Sequence, residues 1–409
     1  MPLKINSSGG GSVSINAPVT GSNFSLTVPA NNATLITSDG GAITGNVAIS
    51  GNLSVSGNNI NPFGGMRNRI INGDMRIDQR NSGASVTASS AGSVVYTIDR
   101  WAYFGSQASK FSVQQVTSSA PSGFTYSTKI TSLSAYTVGT NEEFDLIQPI
   151  EGFNCYDLSF GGASAKTVTL SFWVRSSLTG TFGGSLRNSA VNRSYPFSYT
   201  ISIADTWTYI SITIPGDTTG TWLTNNGVGI YVTFGLGQGS GISAAAGSWV
   251  ASNITNATGA QSVVGTNGAT WYITGVQLEA GTQATPFDWR PYGQELALCQ
   301  RYYWQPVNVV SPNGMTDSSG RIIVNFKLPV TMRGQPTFTL TRVLSRGYDG
   351  FLVWPSSSTA VNTSLTFNFG ATIDAQVDTV GVIFAGSQNS TAGYLNLGQD
   401  SVVKISAEL

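Results

Sequence analysis

The stretch that decides the fold is YISITI, residues Tyr209–Ile214, in which apolar and polar residues alternate without a break. Successive side chains of a β-strand point to opposite faces, so the pattern predicts a strand with one buried and one solvated face. The stretch SFWVR, residues Ser171–Arg175, shows the same alternation upstream. Strands of this kind are typical of antiparallel sheets, and the sequence therefore predicts an all-β fold.

Residues 63–304 carry many further strand candidates, and no helical pattern lies between them. Two packed antiparallel sheets, a jelly roll, are therefore expected rather than a parallel α/β sheet. A glycine-rich loop is expected at Gly235–Gly247, and one short helix at Gly293–Arg301, after Pro291. The predicted strands are Val94–Ile98, Lys110–Val116, Ser127–Ile130, Thr167–Arg175, Tyr195–Ile203, Trp207–Ile214, Gly229–Phe234 and Thr270–Leu278.

Residues 305–409 return to strand patterns after the predicted helix. We interpret this segment as a small separate β-sandwich at the C-terminal tip, because about 100 residues suffice for a domain. Its predicted strands are Arg321–Leu328, Thr337–Arg342, Ser364–Phe369, Asp378–Ala385 and Ser401–Glu408.

Residues 1–62 are poor in large side chains and contain GNVAISGNLSVSGN at 45–58, which repeats every six residues. Strands this small bury too little apolar surface alone to offset the entropy of ordering the chain. Three copies side by side could share one thin core, so we predict a trimeric fibrous β shaft. The alternative is a flexible Gly/Ser/Asn linker. The predicted shaft core is Val47, Ile49, Leu53 and Val55.

The composition excludes several functions. Only 10% of the residues are charged, with 20 basic and 20 acidic side chains, which argues against binding nucleic acid or steering to a membrane surface. No run of 18 apolar residues is present, so no membrane insertion is expected. The chain has no histidine, which removes the usual general base and metal ligand. Cys155 and Cys299 could pair, but two buried thiols are the favoured interpretation.

Two motifs resemble segments of a known family. The first is RIINGDMRIDQR at residues 69–80, followed by DRW at 99–101; the second is WYITGVQLEAGTQATPFDWRPY at 271–292, followed by EL at 295–296 and CQRYY at 299–303. Together they are similar to tail-fibre and tail-appendage proteins of tailed bacteriophages. In that family the segments bracket a jelly-roll domain similar to carbohydrate-binding modules, and here they bracket residues 69–303.

The resemblance implies a virion component, usually a homotrimer, that is made in the host cytoplasm. Its N-terminal part would attach to the phage tail, the baseplate or another virion protein, and its distal β domains would bind host-surface glycan. A tail fibre is the favoured assignment. A capsid (head) fibre or decoration protein with a structural role, and a polysaccharide depolymerase tail spike, stay open as alternatives.

The first motif concentrates charge in a charge-poor chain. The cluster could hold a catalytic carboxylate pair, but we favour a structural role in which Arg–carboxylate pairs fix strand register or subunit contacts. Arg100 or Arg290 could also stack on Trp101 or Trp289. The cluster consists of Asp74, Arg76, Asp78, Arg80, Asp99 and Arg100.

Enzyme activity is not expected. Cleavage of a glycan needs two carboxylates about 5–10 Å apart across the bond. Glu142, Glu143 and Asp145 are candidates, but the side chains of neighbouring residues diverge. Long parallel β-helix repeats are also missing from the sequence.

Glycan binding needs exposed aromatic rings beside polar groups, because a ring stacks on the apolar face of a sugar. The best local candidates are Arg346, Tyr348, Asp349 and Trp354, although the aromatic residues among them could instead fill the core of the C-terminal segment. Trp222 and Trp249 are second candidates. Calcium, held by backbone carbonyls and an Asp, is common in jelly rolls of this kind and stays open as a cofactor; no metal-binding spacing appears in the sequence.

Overall fold

The computed structural model describes residues 66–118, 120–306, 313–316, 322–341, 350–354, 365–366, 377–384, 392–396 and 402–409. All of them belong to one compact unit, residues 63–409. Most of its strands form two six-stranded sheets, and every pairing within these sheets is antiparallel. The predicted all-β, antiparallel jelly-roll sandwich is therefore confirmed.

The first sheet has the strand order β1-β4-β5-β14-β7-β10. Its two longest strands are neighbours at the centre, and the strand that contains YISITI forms one edge. The strands are β1 Val86–Thr87, β4 Phe111–Val116, β5 Ser127–Ser132, β7 Val168–Ser176, β10 Thr208–Ile214 and β14 Thr270–Ala280.

The second sheet has the strand order β2-β3-β6-β11-β8-β9. The strands are β2 Val95–Ile98, β3 Trp101–Gly105, β6 Glu143–Glu151, β8 Gly180–Arg187, β9 Ser194–Ile201 and β11 Val228–Gln238. A short parallel pair, β12 Ser243–Ala244 and β13 Asn256–Ala257, lies outside both sheets.

The eight strands predicted in the central region are present, with ends shifted by a few residues. The longer strands β3, β6 and β8 were missed, as were the two-residue strands β1, β12 and β13. The predicted loop Gly235–Gly247 was partly wrong, because β11 continues to Gln238. Gly235 lies within this strand, and glycine suits the position because a Cβ atom there would lie 2.3 Å from the Asn256 Nδ2 atom.

The core lies between the two sheets and is built from the alternating apolar positions of their strands. Phe172 and Val174 of β7 are fully buried, and Ile214 at the end of YISITI is buried with them. Large aromatic rings fill the centre, where Trp271 and Phe234 have ring centroids 5.9 Å apart. The largest apolar side chains of this core are Trp101, Tyr103, Phe111, Phe144, Phe172, Phe182, Phe197, Phe234 and Trp271.

One α-helix of the described residues, α1, spans Tyr292–Gln300, within one residue of the prediction. Pro291 precedes it and accepts the first helical hydrogen bonds on its carbonyl. The helix packs Cys299 into a small second core with Ile71, Ile77 and Tyr302. Short 3₁₀ turns occur at Gly152–Asn154, Tyr156–Leu158 and Ser240–Ile242.

The C-terminal strands form two more sheets. β15, β23 and β18 make one, and β19-β22-β16-β17-β21-β20 make the other. β23 joins the segments, because Ser406 pairs with Tyr303 directly after α1. The domain division after residue 304 stays a prediction. The strands are β15 Tyr303–Trp304, β16 Asn313–Thr316, β17 Ile322–Met332, β18 Thr337–Thr341, β19 Gly350–Trp354, β20 Leu365–Thr366, β21 Val377–Phe384, β22 Ala392–Asn396 and β23 Val402–Ser406.

Several predicted sites lie outside the described residues. These are the shaft-core residues Val47, Ile49, Leu53 and Val55, and the glycan-site candidates Arg346, Tyr348 and Asp349. Trp354 is the last residue of β19. Trimerisation stays a prediction. Cys155 and Cys299 are both free and buried, as the favoured interpretation held. No described helix is long and apolar enough to cross a membrane.

Candidate functional site: an aromatic groove on the first sheet

An open groove of about 480 Å³ lies on the outer face of the first sheet. Five aromatic side chains dominate its lining, and we call it the aromatic groove after them. They are Phe124, Trp173, Tyr209, Phe287 and Trp289. Ser122, Ser171 and Thr285 line the same surface.

The floor of the groove follows from strand alternation. Phe172 and Val174 of β7 point into the core, so Ser171, Trp173 and Arg175 between and beside them lie on the outer face. Tyr209 of β10 is directly opposite Trp173 in the register. The two rings lie 5.3 Å apart between centroids and are tilted by 53°.

The wall of the groove is a cluster of three rings from two loops. The ring centroid of Phe287 lies 5.2 Å from that of Phe124 and 4.8 Å from that of Trp289, and both contacts are edge-to-face. Trp289 is also 4.9 Å from Phe124. Such contacts are favourable beyond the area that they bury, so the three rings hold one another in place.

A bulge in β14 makes room for this wall. The register between β14 and β7 shifts between Thr274 and Gln277, and Gly275 in the bulge has φ +63°. A Cβ atom at Gly275 would lie 2.6 Å from the Cζ atom of Phe124. The close approach of the Phe124 ring to the backbone therefore requires glycine at this position.

Buried hydrogen bonds fix the loop that carries Phe287 and Trp289. The carboxylate of Glu279, which is 2% exposed, accepts bonds from the Thr285 amide at 2.8 Å and the Thr285 hydroxyl at 2.7 Å. The Gln277 side chain donates to Glu279 at 2.8 Å and accepts from the Asp288 amide at 2.8 Å. The second sequence motif thus builds the groove wall.

The groove combines exposed rings with hydroxyl groups. Trp289 is 51% exposed and Tyr209 is 45% exposed, so both present ring surface to solvent although they pack at one edge. The hydroxyls of the exposed residues Tyr209 and Ser122 are hydrogen-bonding groups at the same surface, whereas Ser171 is only 3% exposed. This arrangement can stack against the apolar face of a flat, hydroxyl-rich ligand and bond its polar edge.

Part of the charge cluster of the first motif lies around the end of the C-terminal strand, and Arg76 of the cluster donates to the Arg290 carbonyl next to the groove wall. Arg80 and Arg100 both form ion pairs with Glu408. Arg100 is 1% exposed, and its guanidinium lies 3.6 Å over the ring of Tyr302. Arg100 therefore stacks on Tyr302 and not on Trp101, which was one of the partners considered, because the Trp101 indole is in the core and donates to the Asn72 carbonyl.

The three aspartates of the cluster have separate partners. The Asp74 carboxylate lies 3.1 Å from the Arg76 Nε atom. The Asp78 carboxylate accepts hydrogen bonds from the backbone amides of Asn81 at 2.9 Å and Gly83 at 2.7 Å. The Asp99 carboxylate lies 3.8 Å from the Arg80 Nε atom. Burial raises the pKa of Asp74 to about 6 and that of Asp99 to about 7. These contacts join turns of the first motif, and a structural role for the cluster stays our interpretation.

The three carboxylates considered for catalysis differ in their surroundings, and one oxygen each of Glu143 and Asp145 is buried without a hydrogen-bond partner among the described residues. Glu142 accepts from the Gly139 amide at 2.8 Å, which is the main reason why its pKa is lowered, and from the Tyr136 hydroxyl at 2.8 Å. Asp145 is completely buried on β6, and burial raises its pKa well above the usual value. No group of three or more Cys, Asp or Glu side chains that could hold a metal occurs among the described residues.

Trp222 and Trp249, the second candidates for glycan binding, pack against each other. Their centroids are 5.4 Å apart at 84°, and Phe160 lies edge-to-face with both at 5.0 and 5.9 Å. Trp222 is only 8% exposed. Little ring surface of Trp222 is therefore available to a ligand.

Comparison with known proteins finds neither a matching family model nor a matching curated protein. Solved structures do match. They include tailspike protein 4 of bacteriophage CBA120 (13% identity, 52% of this chain, 21% of that chain, TM-score 0.26). They also include a protein from Bacteroides thetaiotaomicron that is described as a putative sugar binding protein (11% identity, 53% of this chain, 100% of that chain, TM-score 0.30). A third is the family 11 carbohydrate-binding module of Clostridium thermocellum Lic26A-Cel5E (13% identity, 50% of this chain, 99% of that chain, TM-score 0.24). The chain spans about a fifth of the tailspike's length.

The sequence analysis missed the aromatic groove because its rings come from four separate segments. One signal was present, however. In SFWVR the core-facing residues are Phe172 and Val174, so the same alternation places Trp173 on the solvent face, where a large aromatic ring is unusual.

Proposed function

We propose that the protein binds glycan through the aromatic groove. The observation that carries this proposal is the pairing of exposed Trp289 and Tyr209 ring surface with hydroxyl groups in an open groove. Sugars offer an apolar face and a polar edge, and this surface complements both. The groove wall is held by buried hydrogen bonds, so little ordering would be required when a ligand binds.

The proposal extends to the particle that would use this site. The resemblance of the motifs at 69–101 and 271–303 to phage tail appendages supports a virion fibre protein, made in the host cytoplasm, that presents the groove to the bacterial surface. A homotrimer would combine three weak sites, for a gain of about 10²–10⁴ over one site. Immunolabelling of virions with an antibody against this chain would distinguish a tail fibre from a head fibre by position.

The proposed role is binding without cleavage. Asp145 is inaccessible to a substrate, and Glu142 is held by donors from its own turn. Incubation of the protein with host polysaccharide should release no reducing ends, whereas a time-dependent release would assign it as a depolymerase.

The glycan proposal is tested on an array of printed bacterial oligosaccharides. Wild-type protein should retain a subset of glycans, and Trp173→Ala and Trp289→Ala should each weaken binding by about fivefold or more, since one stacked ring contributes about 1 kcal/mol or more. Tyr156→Ala is the matched control, because this ring is 62% exposed but lies outside the groove. Absence of any retained glycan, or equal binding by all variants, would contradict the proposal.

A further inference from the structure

A row of cations adjoins the aromatic groove on the same face of the first sheet. Tyr272 of β14 is directly opposite Lys129 of β5 on one side and Arg175 of β7 on the other. The ammonium of Lys129 lies 5.9 Å from the Tyr272 ring centroid, and the guanidinium of Arg175 lies 5.0 Å from it. We call Lys129, Tyr272 and Arg175 the cationic row.

The cationic row continues the floor of the groove. Arg175 is two residues from Trp173 along β7, so their side chains share the outer face and their Cα atoms are about 7 Å apart. This separation is comparable to the length of one pyranose unit. Trp207 extends the row, because its ring contacts Tyr272 edge-on at 6.2 Å.

The positive charges of the row are poorly neutralised. Among the described residues, no carboxylate lies within 4 Å of the Lys129 ammonium. Arg175, whose side chain is 20% exposed, contacts Asp205 at 3.5 Å, but the Asp205 side chain is 58% exposed, so solvent weakens the pair. In a chain with only 10% charged residues, two neighbouring cations on one sheet face are unusual.

We infer that the ligand of the aromatic groove is an acidic glycan, whose carboxylate or phosphate group binds to Lys129 and Arg175 about one sugar unit beyond the ring that stacks on Trp173. This inference rests on the proposed glycan-binding function. Arg presents a planar fork that matches the geometry of either anion, and Lys adds a point charge. Tyr272 between them would support a sugar ring.

The test uses the full chain on an array printed with neutral, carboxylate-bearing and phosphate-bearing bacterial oligosaccharides. Wild-type protein should favour acidic glycans, and the class of the retained acidic glycans identifies the anion. Lys129→Gln with Arg175→Gln should weaken binding of these glycans by about tenfold or more, since two charge-assisted contacts are lost. The control pair is Lys110→Gln with Lys166→Gln, which removes two charges elsewhere and should leave binding within about twofold.

The outcomes separate this inference from the proposed function. Equal retention of neutral and acidic glycans, or acidic binding that the Lys129→Gln/Arg175→Gln protein keeps, would overturn the acidic specificity and leave glycan binding intact. If wild type retains no glycan, or if Trp173→Ala and Trp289→Ala leave binding unchanged, the groove itself is not the site and both proposals fail. Circular dichroism and the Tm should match between the two double variants.

Discussion

Gly275 is the residue on which the shape of the groove depends most directly. Alanine there would combine a strained positive φ with a collision against Phe124, whereas alanine at Gly268, with φ +76° and nothing within 4 Å, would add the strain alone. We expect Gly268→Ala to cost about 1 kcal/mol and Gly275→Ala to cost about 1–3 kcal/mol more. Urea unfolding followed by tryptophan fluorescence measures both values.

The comparison of these two glycines also has a functional outcome. Displacement of Phe124 would disturb the wall that it forms with Phe287 and Trp289, so Gly275→Ala should lose glycan binding and Gly268→Ala should keep it. Equal losses of stability and binding in both variants would show that the collision is relieved without cost and that Gly275 does not shape the groove.

Asp74 gives a prediction about pH. Burial raises its pKa to about 6 in the folded state, against about 3.9 in an unfolded chain. Between these values the folded state binds more protons than the unfolded state, so the contribution of Asp74 to stability is largest below about pH 4 and falls as the pH rises to about 6. The stability advantage of wild type over Asp74→Asn should therefore decrease between pH 4 and pH 7.

Chemical unfolding of the two proteins at several pH values measures this advantage. A difference that instead grows with pH would mean that the ion pair with Arg76, 3.1 Å away, outweighs the cost of burial and that the pKa of Asp74 is lowered.

At the scale of elements, Glu408 joins the C-terminal strand β23 to the sandwich. It forms ion pairs with Arg80 and Arg100, and Arg100 is almost completely buried. Glu408→Gln would leave a buried guanidinium without a counter-charge, so we expect a loss of about 3–5 kcal/mol.

The control for Glu408 is Asp205→Asn, which breaks a pair with Arg175 in which the aspartate is 58% exposed and should cost about 1 kcal/mol or less. Thermal unfolding compares the two variants. If they lose the same small amount, the contact of Glu408 with Arg100 does not hold β23 in place.

The elements also show what a sequence can predict. Strands with clear alternation, such as Tyr209–Ile214, were found because one face is buried and the other is solvated. The strand β6 was missed because it contains Pro149, which is unfavourable inside a sheet. The structure resolves this conflict. The Pro149 carbonyl faces the β3 side of the strand, where it accepts a hydrogen bond from Arg100. The nitrogen of Pro149, which has no hydrogen to donate, faces the same side. The pairing of β3 with β6 has already ended there at Ile147, so no hydrogen bond between the strands is lost.

The strand β8 was missed for the opposite reason, because glycines interrupt its pattern. Position 184 requires glycine, because a Cβ atom there would lie 2.0 Å from the Thr233 carbonyl oxygen. Such close approaches between strands depend on tertiary packing and leave no periodic signal. The same holds for the aromatic groove, since the contact of Phe124 with Phe287 joins residues that are far apart in the sequence.

At the scale of the whole molecule, the predicted shaft residues Val47, Ile49, Leu53 and Val55 imply that three chains associate. Sedimentation equilibrium of the full chain should give a mass three times the 42.9 kDa of one chain. The double variant Val47→Glu/Ile49→Glu should sediment with the mass of a monomer, because burying charges in a thin shared core is costly. A wild-type protein that sediments as a monomer at micromolar concentration would contradict the trimeric interpretation.

The most direct test of the glycan-binding account is an experimental structure of the full chain bound to an acidic oligosaccharide that the array identifies. The account predicts sugar rings against Trp173, Tyr209 and Trp289, with the acidic group between Lys129 and Arg175. A glycan bound elsewhere, for example around residues 346–354, with the aromatic groove empty, would contradict it.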